Sequence, residues 1–195
     1  MVVPCPCQKE RKIAAALPQR YRQARLSDFP DQIVQGVMAW FAKPGDGLLL
    51  CGPAGTGKTH MAAAITRSCI EIGRPITFRR AADLFQAIRD TYDQGFAEAT
   101  VLSDYAKTPL LVLDDLGAGA LSDFERRYTL EVLDRRLNAM LPTIVTTNWK
   151  LSQIREQMDE RIASRLSGYT VLTFAGRDRR ERKPRHAGGV SDVAG

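Results

Sequence analysis

Residues 52–59 read GPAGTGKT and match the pattern G-x-x-x-x-G-K-[ST] of a phosphate-binding loop. The apolar run GLLLC, typical of a buried strand, precedes the motif at residues 47–51, and an amphipathic stretch follows it at residues 59–72. A glycine turn between a strand and a helix points successive amide groups and the positive end of the helix at one anion. Average composition produces this pattern in roughly 1% or fewer of chains of this length, so we interpret it as a true phosphate loop.

The rest of the chain alternates apolar strand patterns with helical patterns. Ser122 and Glu125 fit a capping box at the start of one helix, whereas residues 93–108 are predicted to be loop or a frayed short helix. This alternation indicates an α/β fold with a parallel sheet flanked by helices on both faces. Strands are predicted at residues 47–51, 75–78, 110–113, 143–147 and 170–174, and helices at residues 31–42, 59–72, 81–92, 122–140 and 152–166.

The phosphate loop predicts ATP and Mg²⁺ as ligands. In loops of this type the lysine, here Lys58, reaches the terminal phosphates, and the hydroxyl that follows it, here on Thr59, ligates Mg²⁺. The predicted nucleotide-binding residues are consecutive in the chain: Gly52, Pro53, Ala54, Gly55, Thr56, Gly57, Lys58, Thr59 and His60.

Two acidic residues follow the apolar strand at residues 110–113. Asp114 is predicted to hold Mg²⁺ through water, because an apolar strand that ends in acid places its carboxylate beside the metal. Asp115 points differently and is predicted to polarise the attacking water as a general base. The alternative is that two acids simply end a strand, but a position about fifty residues after a phosphate loop favours the metal site.

Asn148 closes the β-branched strand at residues 143–147. Ligands of a doubly wound sheet bind beyond the carboxyl ends of its strands, which brings Asn148 near the γ-phosphate. An amide at that point can orient the water that attacks the phosphate. The alternative is that Asn148 caps the helix that follows.

Composition limits the class of protein. The chain has 195 residues, of which 44% are apolar and 26% charged, enough for one α/β domain and incompatible with a fully disordered chain. No run approaches the ~20 apolar residues of a membrane span, and the amino terminus lacks the apolar core of a secretory signal. Four cysteines, two of them inside apolar stretches, do not resemble a disulfide framework. We therefore expect a cytoplasmic protein without a membrane partner.

Positive charge is concentrated near the carboxyl end. Residues 176–186 contain six basic and two acidic residues and so supply +4 of the net charge of +6. Such a run is either a solvated tail or a contact for nucleic-acid phosphates. Phe78, Arg79 and Arg80 present a similar choice: they combine an aromatic ring with two cations, as surfaces that bind single strands do, or they are a core ring with two solvated arginines.

The motifs GPAGTGKT, LLVLDD and TTN, in this order and spacing, resemble the core of an AAA+ ATPase. RYRQARLSDF at residues 20–29, LDDLG at residues 113–117, ERIASRL at residues 160–166 and FAG at residues 174–176 are similar to DnaC/DnaI-type helicase loaders and the related IstB-type transposition helpers. This resemblance implies an ATPase that binds single-stranded DNA and helps to load a replicative helicase in DNA replication. It also implies a homo-oligomer with ATP at the subunit interface. The alternative is an IstB-like helper that serves a transposase.

The same resemblance implies roles for residues outside the phosphate loop. Arg165 is implied to be an arginine finger that reaches the γ-phosphate of a neighbouring subunit, where a guanidinium offsets the charge of the transferring phosphoryl group. Arg161, one helical turn earlier, faces the same way and is the second choice. Tyr21 and Arg22 are implied to lie near the adenine.

We expect three segments: a lead-in at residues 1–30, the ATPase core at residues 31–176 and a basic, disordered tail at residues 177–195. The lead-in resembles the end of a zinc-binding, helicase-binding module, but Cys5 and Cys7 supply only two of four ligands, so zinc is not expected. Only the tail follows Phe174, so no carboxyl-terminal lid domain is expected.

Two other classes of function also use a phosphate loop. A small-molecule kinase needs an acceptor pocket and a closing lid, and no insertion is long enough to form one. A nucleotide-gated scaffold that never hydrolyses ATP stays open, because Asp115 is shorter than the glutamate that is more usual at this position.

Overall fold

The computed structural model describes residues 6–43, 47–94, 98–176 and 178. Its helices are α1 (Pro6–Ala16), α2 (Asp31–Phe41), α3 (Lys58–Glu71), α4 (Ala81–Gln94), α5 (Glu98–Lys107), α6 (Asp123–Asn138), α7 (Leu151–Gln157) and α8 (Glu160–Leu166). Its strands are β1 (Leu48–Cys51), β2 (Thr77–Arg80), β3 (Leu111–Asp114), β4 (Thr143–Thr147) and β5 (Thr170–Thr173). Two 3₁₀ turns, Gln19–Tyr21 and Leu26–Asp28, join α1 to α2.

The five strands form one parallel sheet in the order β2-β3-β4-β1-β5. The chain therefore crosses from β1 to the far edge, returns through β3 and β4, and ends beside β1 on the other side. β1, β3 and β4 are buried along their whole length, as their continuous apolar runs predict. This order brings the carboxyl ends of β1, β3 and β4 together at the middle of one edge of the sheet.

Helices cover both faces of the sheet, so the predicted fold class is confirmed. Alternate residues of β1 separate the core into two clusters: Leu48 and Leu50 pack among α1, α2 and α3, whereas Leu49 and Cys51 pack among α4 to α8. The capping box at the start of α6 is also present, since Ser122 accepts the backbone N–H of Glu125 and the Glu125 carboxylate accepts that of Ser122.

Two local features differ from the predictions, and a third decides between two predicted alternatives. Helix α1 lies in the lead-in, where no element was predicted, and its residue Ile13 is buried against α3. Residues 98–107 form the helix α5, the second of the two alternatives for that segment. The single helix predicted at residues 152–166 is two short helices, because Asp159 leaves helical geometry and accepts the N–H groups of Arg161 and Ile162 at the start of α8.

The basic tail predicted at residues 177–195 lies outside the described residues, apart from Asp178. Phe78 is only 4% exposed and belongs to the core, so its ring is not available for stacking on a base, whereas Arg79 and Arg80 are exposed. Cys51 and Cys69 are buried in the core, and desolvation raises the pKa of the Cys69 thiol to about 11. In the described ranges, no helix combines the length and the apolar character that crossing a membrane requires.

Candidate nucleotide-binding site

The glycine loop connects the end of β1 to the start of α3 and needs glycine at two points. Gly52 has φ = +136°, and a side chain there would overlap the backbone carbonyl of Phe174 at the end of β5. Gly57 has φ = +108° and is the residue before the first turn of α3. The loop is thus held between β5 and its own helix.

The loop forms a site for an anion. The first turn of α3 contains Lys58, Thr59 and His60, and the first N–H groups of a helix point out of its start instead of toward a carbonyl one turn earlier. The Lys58 side chain, 6% exposed, folds back across the loop and donates to the carbonyl oxygens of Gly52 and Pro53, each over 2.7 Å. N–H groups at a helix start with a buried ammonium beside them are the chemistry that binds a triphosphate, so these residues fit ATP.

Asp114, at the end of β3, supplies the carboxylate of the site. It is 4% exposed, it accepts a hydrogen bond from the Thr146 hydroxyl over 2.7 Å, and the Thr59 hydroxyl also contacts it. Burial raises the pKa of Asp114, although these two hydroxyl contacts oppose the rise. The contact with Asp114 brings together the two predicted Mg²⁺ ligands, and a carboxylate with a hydroxyl is a suitable oxygen set for that ion.

Hydrogen bonds connect the turn after β3, which contains Asp115, to the end of β4 and the loop that follows it. Asp115 has φ = +60°, its side chain is exposed, and its backbone N–H donates to the Thr146 hydroxyl over 2.8 Å. The indole of Trp149 donates to the carbonyl of Gly117 over 2.8 Å. Asn148 lies between Thr146 and Trp149 and is half-buried. Its alternative role as a helix cap is wrong, because Lys150 is the residue before the first turn of α7.

The lead-in contacts the phosphate-loop helix through His60. The His60 ring pairs with the Asp28 carboxylate over 2.7 Å, and this contact lowers the pKa of Asp28. The rings of Tyr21 and Phe29 pack against His60 with centroids 6.2 and 5.5 Å away. The Arg22 side chain instead donates to carbonyl oxygens at the end of α1, and its backbone carbonyl accepts from Arg67 of α3. Of the two residues implied near the adenine, Tyr21 is the one whose ring packs on His60 at the start of the loop helix.

Asp178 adds an acidic group that the sequence did not suggest. A Cβ atom built on Gly55 would overlap the Asp178 carboxylate, so this side chain lies directly against the phosphate loop. The loop therefore already has a protein carboxylate beside its anion-binding amides.

Arg165 lies away from the phosphate loop. It projects from α8 into a cavity of about 340 Å³ between α6 and α8, and Arg161 lines the same cavity. Among the described residues that line this cavity, none comes from the loop at residues 52–60. Arg165 is bound to Asp134 of α6, whereas Arg161 contacts Asp159, the residue directly before α8.

Sequence reasoning assigned no role to Thr146, Trp149, Asp134 or Asp178. The signal for Thr146 was present: it is the penultimate residue of β4, and the register of β3 and β4 pairs Leu113 with Val145, which places Thr146 level with Asp114. The sequence alone did not give the strand order that makes β3 and β4 neighbours.

The model of the IstB-like ATP binding protein family matches residues 16–167. The replicative helicase loader DnaC of Escherichia coli K12 is 31% identical over 119 residues, which cover 60% of this chain and 49% of DnaC. A crystal structure of the DnaC helicase loader superposes with a TM-score of 0.70 at 26% identity, covering 81% of this chain and all of that one. A crystal structure of DnaI gives 0.69 at 25% identity, covering 82% and 95%.

The chain spans about half the length of the curated relatives that it matches. The family match nevertheless includes the phosphate loop, both aspartates after β3, Asn148 and Arg165. The parallel sheet with its loop after β1 is the AAA+ arrangement that the structural matches share. The chain is therefore a DnaC-type AAA+ member of the IstB-like ATP-binding family.

Proposed function

We propose that this protein hydrolyses ATP in an oligomer on single-stranded DNA and helps to load a replicative hexameric helicase. The observation that carries the proposal is the separation of two half-sites on one chain. The phosphate loop with Asp114 forms one half, and Arg165 lies in a cavity to which that loop contributes no described residue. A second copy of the chain joins such halves into one complete site.

Each residue of the first half-site has a role in this proposal. Lys58 exchanges its contacts with the loop carbonyls for contacts with the terminal phosphates, which are stronger acceptors. Thr59 and Asp114 hold Mg²⁺, which when bound neutralises charge on the β- and γ-phosphates. Asp115 accepts the proton of the attacking water, and Asn148 orients that water.

Arg165 of the neighbouring subunit completes the site. A guanidinium supplied from another chain makes hydrolysis depend on assembly, and fingers of this kind contribute about 10³–10⁵-fold to turnover. The first test is steady-state ATP turnover, with and without single-stranded DNA. Turnover that is absent under both conditions rejects the enzyme and favours the nucleotide-gated scaffold.

The second test separates the two half-sites by mixing variants. Lys58→Ala should abolish ATP binding, and Arg165→Ala should keep binding and lose hydrolysis, so each variant alone is inactive. Their mixture should regain turnover, because an Arg165→Ala subunit binds ATP and a Lys58→Ala neighbour supplies the arginine. Full activity of Arg165→Ala alone rejects the finger in trans.

Binding of single-stranded DNA is proposed from the similarity to DnaC and from the excess of basic residues. Phosphate contacts release counterions, so the affinity for a single-stranded oligonucleotide should fall steeply as salt is raised. A flat salt dependence in a binding titration contradicts phosphate contacts.

The match to the IstB-like family model favours a second candidate, an ATPase helper of DNA transposition. The ATPase site is the same in both, and the partner differs. Co-purification of the tagged chain from native extract should recover a hexameric helicase if the loader proposal is right and a transposase if the helper is right.

A further inference from the structure

Arg165 and Asp134 form a two-point ion pair between α8 and α6. The guanidinium Nε lies 2.7 Å from Oδ1 of Asp134, and Nη2 lies 3.3 Å from Oδ2. The helices that carry the pair are packed together: Ile162 and Leu166 of α8 are fully buried in the same core cluster as Leu133 of α6. The pair therefore connects two rigid elements, and the packing beneath it sets its distance.

The contact engages one edge of the guanidinium. Asp134 accepts from Nε and from one N–H of Nη2, so Nη1 and the remaining N–H of Nη2 face away from the carboxylate. The Arg165 side chain is 33% exposed and lines the cavity between α6 and α8. An arginine held by one edge presents the opposite edge, which is the arrangement needed to grip a phosphoryl group with two donors.

Arg161 lines the same cavity and provides a comparison with Arg165. Its guanidinium lies 3.4 and 3.5 Å from the two oxygens of Asp159, the residue directly before α8, and the Arg161 side chain is 68% exposed. The orientation of that side chain is thus set weakly, from the start of α8. Arg165 makes the shorter contact of the two arginines, and its partner belongs to another helix.

We infer that Asp134 is a positioning residue, which orients the Arg165 guanidinium toward the nucleotide of the neighbouring subunit. This inference rests on the proposed function. A long side chain that is free in solution loses rotamer freedom when it is fixed in a site, and Asp134 fixes it before the subunits meet. We expect the lost preorganisation to lower turnover about threefold to tenfold, because that is the usual cost of immobilising one such side chain.

The test places Asp134→Asn in one member of the mixed assembly of Lys58→Ala and Arg165→Ala subunits. Asparagine keeps the size of aspartate but removes its charge and one carboxylate oxygen. In the Lys58→Ala subunit, which supplies the arginine, Asp134→Asn should lower kcat about threefold to tenfold and leave KM for ATP unchanged. In the Arg165→Ala subunit, which binds ATP, the same substitution should have no effect.

Two further variants separate positioning from general disturbance of α6. Glu131 lies about one turn before Asp134 and lines the same cavity, but it pairs with Arg135. Glu131→Gln should therefore leave turnover unchanged. Asp134→Glu keeps both carboxylate oxygens and should restore part of the lost turnover. Equal losses on both sides of the mixture, or no loss on the arginine side, overturn the inference alone. A mixture without any turnover overturns the proposed finger and the inference with it.

Discussion

The hydroxyl of Thr146 binds both acidic residues at the carboxyl end of β3: it donates to the Asp114 carboxylate over 2.7 Å and accepts the backbone N–H of Asp115 over 2.8 Å. The backbone of the same residue accepts the N–H of Leu116 over 2.9 Å. One residue at the end of β4 thus fixes the direction of the buried carboxylate and the turn that exposes the next one. Thr146 therefore couples the predicted metal ligand to the predicted general base.

Thr146→Val removes this hydroxyl and keeps the β-branched shape that the buried strand accommodates. We expect ATP turnover to fall about tenfold or more and the Mg²⁺ dependence of turnover to shift to higher concentration, because partners that orient a ligand typically contribute 10–100-fold. Thr146→Ser, which retains the hydroxyl, is the control and should remain close to the parent. A Mg²⁺ titration of turnover measures both, and equal behaviour of the two variants would contradict the role of the hydroxyl.

Asp114→Asn should separate stability from function. Burial raises the pKa of the Asp114 carboxyl above its ordinary 3.8, so the ionised form destabilises the folded protein. By linkage, the Asp114 carboxyl stabilises the folded protein below its unfolded pKa. This contribution to stability is lost as the pH rises through the raised folded pKa. Asparagine does not titrate and still accepts the Thr146 hydroxyl.

We therefore expect the metal-free variant to gain stability over the parent protein at pH 7 and to lose this advantage near pH 4. Denaturant unfolding at both pH values, with a chelator present, measures the difference. The same variant should lose Mg²⁺-dependent turnover. A variant that is less stable than the parent at pH 7 would show that the ionised carboxylate does not destabilise the folded protein.

The central sheet and the phosphate loop could be predicted from local sequence, because each of their signals lies within one short segment. The run LLLC before the glycines and the run LVLD before Asp115 identify buried strands on their own. Helix α1 gave no such signal. Its composition is dominated by charged and small residues, and the buried residues Ile13 and Leu17, the latter directly after the helix, could be recognised as core only once α3 lies beside them.

Contacts between residues in distant segments of the chain could not be predicted for the same reason. Asp134 and Arg165 are 31 residues apart, and Thr146 and Asp114 are 32 apart. Both pairs depend on which elements become neighbours, and that is decided by the strand order and by the packing of α8 on α6. Local motifs thus suggest candidate site residues, whereas the residues that orient them could not be predicted from local sequence.

We expect Arg136 to contribute strongly to the stability of the fold and its neighbour Arg135 to contribute little. It has no exposed surface, and its guanidinium donates to the Thr143 hydroxyl and to carbonyl oxygens of Tyr105, Thr108 and Pro142. Desolvation lowers the pKa of Arg136 to about 10, so it is still charged at pH 7.

Arg136→Met fills the same volume but leaves these buried acceptors without a donor, so the free energy of unfolding should fall by about 3 kcal/mol or more. Arg135→Met, its exposed neighbour, loses only a surface pair with Glu131 and should change stability by about 0.5 kcal/mol or less. Urea unfolding of both variants provides the comparison. Similar losses in the two would refute the assignment.

Asp178 should weaken nucleotide binding. Its carboxylate lies against Gly55, inside the loop whose amides and Lys58 attract anions, so it opposes the entry of a triphosphate. Asp178→Asn removes the charge and should tighten ATP binding by about threefold to tenfold at low salt, the size of one partly screened charge contact. The gain should shrink in 1 M salt, where screening is strong, and should be smaller for ADP, which carries less negative charge.

Asp31→Asn changes an exposed acid in the first turn of α2 and is the matched control, which should leave both affinities unchanged. Titration with a fluorescent ATP analogue at two salt concentrations measures these effects, and an affinity that falls in Asp178→Asn would show that the carboxylate supports the loop instead.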